Sequence, residues 1–184
     1  MTLETARVRL RQWLPTDAAP FAALGRDPAV MRYFPALLSR PQSDAFIARA
    51  SALIDEVGWG IWALEILDPE APRRGFAGFV GLAGVGFDAD FTPAVEVGWR
   101  LAPWAWGRGY ATEAAGLALD RAFDVVGLAD VVSFTTIANA PSRAVMRRLG
   151  MRHDGGFLNP RLPEGHPQRP HVLYRLTAGQ WRER

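Results

Sequence analysis

One segment limits the folds open to this chain more than any other: Val95-Glu96-Val97-Gly98-Trp99-Arg100-Leu101-Ala102-Pro103-Trp104-Ala105-Trp106-Gly107-Arg108-Gly109-Tyr110-Ala111-Thr112-Glu113-Ala114. A strand runs into a tight loop with two glycines, and the loop opens a helix whose Ala, Leu and Phe spacing extends from Ala111 to Val126, where Gly127 stops it. Glycines let the backbone approach a ligand closely. The free N–H groups of a first helical turn, with the helix dipole, favour an anion there. A diphosphate is the natural guest, although for a lone G-x-G an ordinary strand-to-helix turn is the preferred reading.

The flanking sequence supplies the context. Arg7, Arg9 and Arg11 alternate with Val8 and Leu10 as a strand with one wet face. Helices are predicted over Ala18 to Gly25, over a short stretch from Asp27-Pro28 through Met31 and Tyr33, and from Pro41 to Gly58. Trp59 to Leu67, Phe76 to Phe87 and Ala94 to Leu101 read as three strands of an antiparallel meander. After the Ala111 helix come a β-branched strand from Asp130 to Thr136, a helix from Pro141 to Leu149, and strands at Arg152 to Leu158 and His171 to Leu176. A Pro, Gly, Arg and His loop, Asn159 to Pro170, separates the last two. The order is mixed α and β with a helical crossover. With no internal repeat or dividing linker, one domain over residues 1–184 is expected.

Composition removes several chemistries. There is no Cys, and all 21 basic residues are Arg. Disulfides, thiolate nucleophiles, Schiff-base lysines and phosphate-loop lysines are therefore excluded. A net charge of +2 argues against nucleic acid as a partner. Met1 to Arg11 is too charged for a secretory leader, and no long apolar run suggests a span, so a cytoplasmic protein without a membrane partner is expected. His153, His166 and His171 lack metal-ligand spacing and read as surface residues, so no metal site is expected.

A dinucleotide fingerprint would need a third glycine where Thr112 stands, and the strands before the loop look antiparallel. The segment instead resembles the loop of the GNAT superfamily of acetyl-CoA-dependent N-acetyltransferases, Q/R-x-x-G-x-G/A. It matches at Gly107 and Gly109 and departs at Trp104, where Gln or Arg is usual. The wording Trp-Gly-Arg-Gly-Tyr-Ala-Thr-Glu-Ala is similar to the branch that includes ribosomal-protein N-terminal acetyltransferases. Asn139-Ala140-Pro141-Ser142-Arg143-Ala144-Val145-Met146-Arg147-Arg148-Leu149-Gly150-Met151 resembles that branch's N-x-x-S-x-x-V-x-x-x-L-G-F.

The resemblance implies an α/β fold with a mixed, mainly antiparallel sheet, a splayed central strand pair and flanking helices. It implies acetyl-CoA as co-substrate, with Trp99, Arg100 and Leu101 lining the pantetheine gap. The N–H groups of Gly107, Arg108, Gly109, Tyr110, Ala111 and Thr112 would cradle the pyrophosphate. Asn139 would bond the pantetheine, with helix N-capping as a compatible role, and Ser142 would sit near the thioester. A homodimer is also in keeping with the family.

Transfer to an amine needs a base, a positioned nitrogen and a donor for the developing oxyanion. Glu96 is the candidate base, acting through water. The alternative is a strand carboxylate that faces solvent or pairs with Arg100; Asp88, Asp90 and Asp154 are weaker substitutes. Many relatives carry a Tyr acid on the helix after the Asn, but Met146 occupies that position, leaving Ser142 to position the thioester. Arg108, Arg143, Arg147 and Arg148 are candidates for the CoA phosphates.

The expected reaction is acetyl transfer to a primary amine, either a protein amino terminus or a small amine, directly within a ternary complex. The other reading is a catalytically silent acyl-CoA-binding or interaction module on the same fold. The acceptor would meet Asp27 to Arg40 and the Asn159 to Pro170 loop.

Overall fold

The computed structural model describes residues 2–184; Met1, the first residue of the segment read as unsuited to a leader, lies outside them. Eight strands form one sheet: β1 (Thr2–Glu4), β2 (Val8–Arg11), β3 (Ile61–Ile66), β4 (Gly75–Gly84), β5 (Val95–Leu101), β6 (Asp130–Thr136), β7 (Arg152–Leu158) and β8 (Pro170–Thr177). Their order is β1-β2-β3-β4-β5-β6-β8-β7. Every neighbouring pair is antiparallel except β5 with β6, which run parallel. The five helices are α1 (Ala18–Arg26), α2 (Arg40–Val57), α3 (Tyr110–Asp120), α4 (Ala140–Arg148) and α5 (Ala178–Arg182).

Helix starts follow from local chemistry. Ser39 and Gln42 form a capping box at α2, Thr177 and Gln180 another at α5, and Asn139 caps α4 ahead of Pro141. Gly58 ends α2 in the left-handed region at φ 74°. In α3, Ala114, Ala115 and Ala118 are fully buried, and these small side chains let the helix lie close across the sheet. A π-helical turn over Arg121–Val125 completes the longer helix expected from sequence.

Two helical layers cover the sheet. Cross-strand partners share a face, so Arg11, Ala63, Phe79 and Arg100 point the same way. That face receives α1 and α2 through Phe79, whose ring centroid is 6.1 Å from Phe21 and 5.1 Å from Phe46. The other face carries α3, with α5 docked on it by the Trp181 indole donating to Asp120 at 2.8 Å.

The structure corrects two expectations and adds two elements. Asp27 to Tyr33 is a series of turns and not a helix: the Asp27 carboxylate accepts from the Ala29 N–H at 2.8 Å, closing the chain locally. The glycine-rich strand stops at Gly84, ahead of the Phe87 expected from sequence. The short edge strand β1 and the five-residue α5 are additional. No described helix is long and apolar enough to cross a membrane.

Candidate active site

The ladder between β5 and β6 is confined to Glu96↔Val132. The whole length of β5 pairs with β4, from Gly84↔Val95 to Gly78↔Leu101, so the gap opens only on the β6 side. Beyond Glu96 the two strands run unpaired toward Leu101 and Thr136. Backbone groups facing that gap are left for a ligand to pair with.

The loop at the end of β5 opens beside the gap. Gly107 and Gly109 have φ of 72° and 83°, conformations that a side chain disfavours. A Cβ on Gly107 would meet nothing within 4 Å, so backbone shape and not crowding selects glycine there. Gly109 is the N-cap of α3 and offers no side chain to its first turn; the first bond of the helix runs from the Glu113 N–H to the Gly109 carbonyl at 3.0 Å. Among the described residues, the N–H groups of Gly107, Arg108, Gly109, Tyr110, Ala111 and Thr112 have no backbone acceptor. The positive end of the α3 dipole adds to this row of donors.

Side chains around the cradle are committed to holding it. The Tyr110 hydroxyl donates to Asp68 at 2.8 Å, and the Arg7 guanidinium lies 5.4 Å from its ring centroid. Arg7 and the Thr5 hydroxyl both bind the Glu113 carboxylate. Tyr110 is therefore turned into the protein, and only its backbone can face a phosphate. The Trp106 indole donates to the Leu101 carbonyl at 2.8 Å, closing the turn from strand to loop.

Asn139 is buried and bonded at both ends of its amide: Oδ1 accepts from the Ser142 N–H at 3.2 Å, and Nδ2 donates one of its two N–H groups to Thr135 Oγ1 at 2.9 Å. Ser142 is half-buried one turn into α4. Met146, at the position where a phenol donor is usual, is 1% exposed and belongs to the core. Of the arginines, Arg108 is exposed on the loop and Arg147 and Arg148 are exposed in the last turn of α4, where they complement its dipole. Arg143 instead donates to the Ile137 carbonyl at 3.1 Å.

Glu96, Gly98 and Arg100 alternate onto the α1 and α2 face, while Val97, Trp99 and Leu101 face the opposite way. Burial pushes the Glu96 carboxyl up to about 7, opposed only by the positive charge of Arg161. Val132, its partner across the sheet, shares its face with Phe134 two positions on. Phe134 packs at 5.6 Å from Phe87 and 5.5 Å from Phe157, and Phe91 lies 4.9 Å from Phe157, giving Glu96 an apolar flank. Glu96 does not pair with Arg100, whose side chain lies instead among Phe34, Phe79 and Phe21, at 4.1, 5.3 and 6.0 Å from their ring centroids.

The two segments expected to meet the acceptor touch each other. Gln168 donates to the Arg32 carbonyl at 2.7 Å, tying the Asn159 to Pro170 loop to the turns after α1. The loop closes on itself through the Asn159 N–H and the Arg169 carbonyl at 2.9 Å. His171 serves the same closure, with Nδ1 3.1 Å from the Arg169 carbonyl and Nε2 3.3 Å from Asn159 Nδ2. Burial holds it below the usual histidine range. Arg161, which sequence reasoning missed, donates to the Gly86 carbonyl at 2.9 Å and lies over Phe87 at 5.1 Å. No local periodicity marks a residue brought in from so far along the chain.

A parted parallel strand pair, with a glycine loop and an uncapped helix at its open end, has the shape and the free N–H groups that an extended, diphosphate-bearing co-substrate needs. Residues 7–152 match the family model described as acetyltransferase (GNAT) domain. The chain belongs to the GNAT family of acetyltransferases, whose acetyl donor is acetyl-CoA. It is 38% identical over 96 residues to the FsC-acetyl coenzyme A-N(2)-transacetylase of Aspergillus fumigatus, covering 49% of this chain and 39% of that protein. It is 30% identical over 153 residues to YkkB of Bacillus subtilis, covering 82% and 85% of the two chains. The crystal structure of a GNAT-family acetyltransferase from Bacillus anthracis superimposes with a TM-score of 0.77 at 20% identity, covering 97% of this chain and 99% of that one. This chain thus spans well under half the length of the fungal enzyme.

Proposed function

We propose that this chain, as one catalytic domain, moves an acetyl group from acetyl-CoA to a primary amine within a ternary complex. The observation that carries the reading is the position of Glu96. Its carboxyl, pushed up to about 7, stands where the β5 and β6 ladder ends and the cofactor gap begins. A base with that acid strength is half ionised near neutral pH and can still take a proton from an ammonium through water. The deprotonated nitrogen attacks the thioester carbon, the carbon–sulfur bond breaks, and CoA leaves as a thiolate that solvent protonates. Ser142 positions the thioester, and the free N–H groups from Gly107 to Thr112 hold the pyrophosphate.

The acceptor classes are a small amine and, as in the ribosomal-protein branch, a peptide amino terminus. CoA release measured over a panel of both tests the reaction. Acetyl-CoA binding without turnover on any acceptor would favour a silent cofactor-binding module instead.

A further inference from the structure

Arg100, expected from the sequence to line the pantetheine gap with Trp99 and Leu101, has its side chain on the opposite face from theirs, beside Gly98 and Glu96, where the acetyl-transfer reading gives it no role. It is 9% exposed, and its Nε and Nη1 have no hydrogen-bond partner among the described residues. Burial lowers its pKa only to about 10, so it is a cation at neutral pH. Three phenylalanine rings offer their faces to the charge, but a ring face does not replace an acceptor for the N–H groups. A buried, unpaired guanidinium is costly, and the cost is relieved by an anion.

Gly98, between Glu96 and Arg100, has no atom within 4 Å of where a Cβ would stand. The strand face is therefore open between the carboxylate and the cation, whose Cα atoms lie about 13 Å apart at the usual rise of a strand. Arg161 adds a second positive charge near Glu96. Asp88 and Asp90, on the loop before β5, are exposed, and water screens them far more than it screens Arg100.

We propose that the acceptor is a small primary amine carrying a carboxylate several bonds away, with its nitrogen at Glu96, its chain over Gly98 and its carboxylate on the Arg100 guanidinium. This inference rests on the acetyl-transfer reading and adds a substrate class to it. A polyamine would place a second cation beside Arg100 and is selected against.

The test is CoA release with 6-aminohexanoate, 6-aminohexanamide, 1,6-diaminohexane and glycine. The wild-type protein should favour 6-aminohexanoate over its amide by about tenfold or more in kcat/KM, in line with a charge-assisted hydrogen bond. Arg100→Met should bring that ratio to about one, and Arg100→Lys should restore part of it. Equal use of acid and amide, or a preference for the diamine or for glycine, would overturn the proposal. If Arg100→Met fails to fold, the wild-type ratio and Arg100→Lys still decide. If no amine turns over although acetyl-CoA binds, the acetyl-transfer reading fails separately. Calorimetry with hexanoate and hexanamide then tests the site alone: hexanoate binding that disappears in Arg100→Met or weakens in Arg100→Lys supports it, and its absence from the wild type removes it.

Discussion

Glu96 and Arg100 stand on the same face of one strand with only Gly98 between them, and they are not paired to each other. Opposite charges that could have neutralised one another locally are instead held apart. Each remains available to a third molecule.

Replacing Glu96 with Gln keeps the shape and removes the proposed base. Turnover should fall by about a hundredfold, the usual scale for a positioned base, while acetyl-CoA affinity stays the same. In the native protein kcat/KM should rise with pH through about 7, following ionisation of Glu96. That limb should be missing from the variant; an identical rate profile would take Glu96 out of the mechanism.

The same carboxyl makes stability depend on pH. Its folded value, about 7, exceeds its ordinary 4.5, so the folded state binds the proton more tightly. The stabilisation is complete below about pH 4.5 and is lost as pH rises through 7. Glu96→Gln should therefore gain on the wild type by about 2 kcal/mol at pH 8, with allowance for partial exposure, and show no gain at pH 4. Chemical denaturation at the two pH values reads the difference.

Gly107→Ala separates backbone shape from ligand contact. The added methyl has free space but must adopt φ 72°, so stability should drop by about 1 kcal/mol. CoA affinity should fall by at least about tenfold, measured calorimetrically, because the loop no longer presents its N–H groups in the same arrangement. Unchanged affinity would move the phosphate away from this loop.

Tyr110→Phe removes only the bond to Asp68, which should cost about 1 kcal/mol of stability. CoA should bind with nearly native affinity, since the backbone N–H remains. A large loss would mean that the hydroxyl itself serves the cofactor.

Arg108→Ala combined with Arg147→Ala should weaken CoA more than dephospho-CoA if these exposed guanidiniums hold its separate ribose phosphate. Equal losses would return both residues to the solvated surface.

What was legible in the sequence is what neighbouring residues decide. The β5, glycine loop and α3 unit is contiguous, and the two positive φ values fall on the two glycines that mark it. Asn139 was readable as a cap because the group it bonds, the Ser142 N–H, is three residues away. Asp27-Pro28 looked like a helix start, yet the Asp27 side chain closes a tighter turn on Ala29. The Thr177 and Gln180 capping box was a signal for α5 that a five-residue helix left easy to overlook. Neither Arg161 nor the isolation of Arg100 could be read locally, because both depend on segments brought together by the sheet.

The glycine loop proposed to hold the pyrophosphate is braced from the far end of the chain. Thr5 and Glu113, 108 positions apart, are hydrogen-bonded, and Arg7 grips the same carboxylate while covering Tyr110. The amino-terminal residues thus act as a splint on a loop with which they share no sequence neighbourhood. Trimming the chain before Val8 would take the edge strand β1 with it, and would register first as weaker cofactor retention in a protein whose other seven strands are still paired.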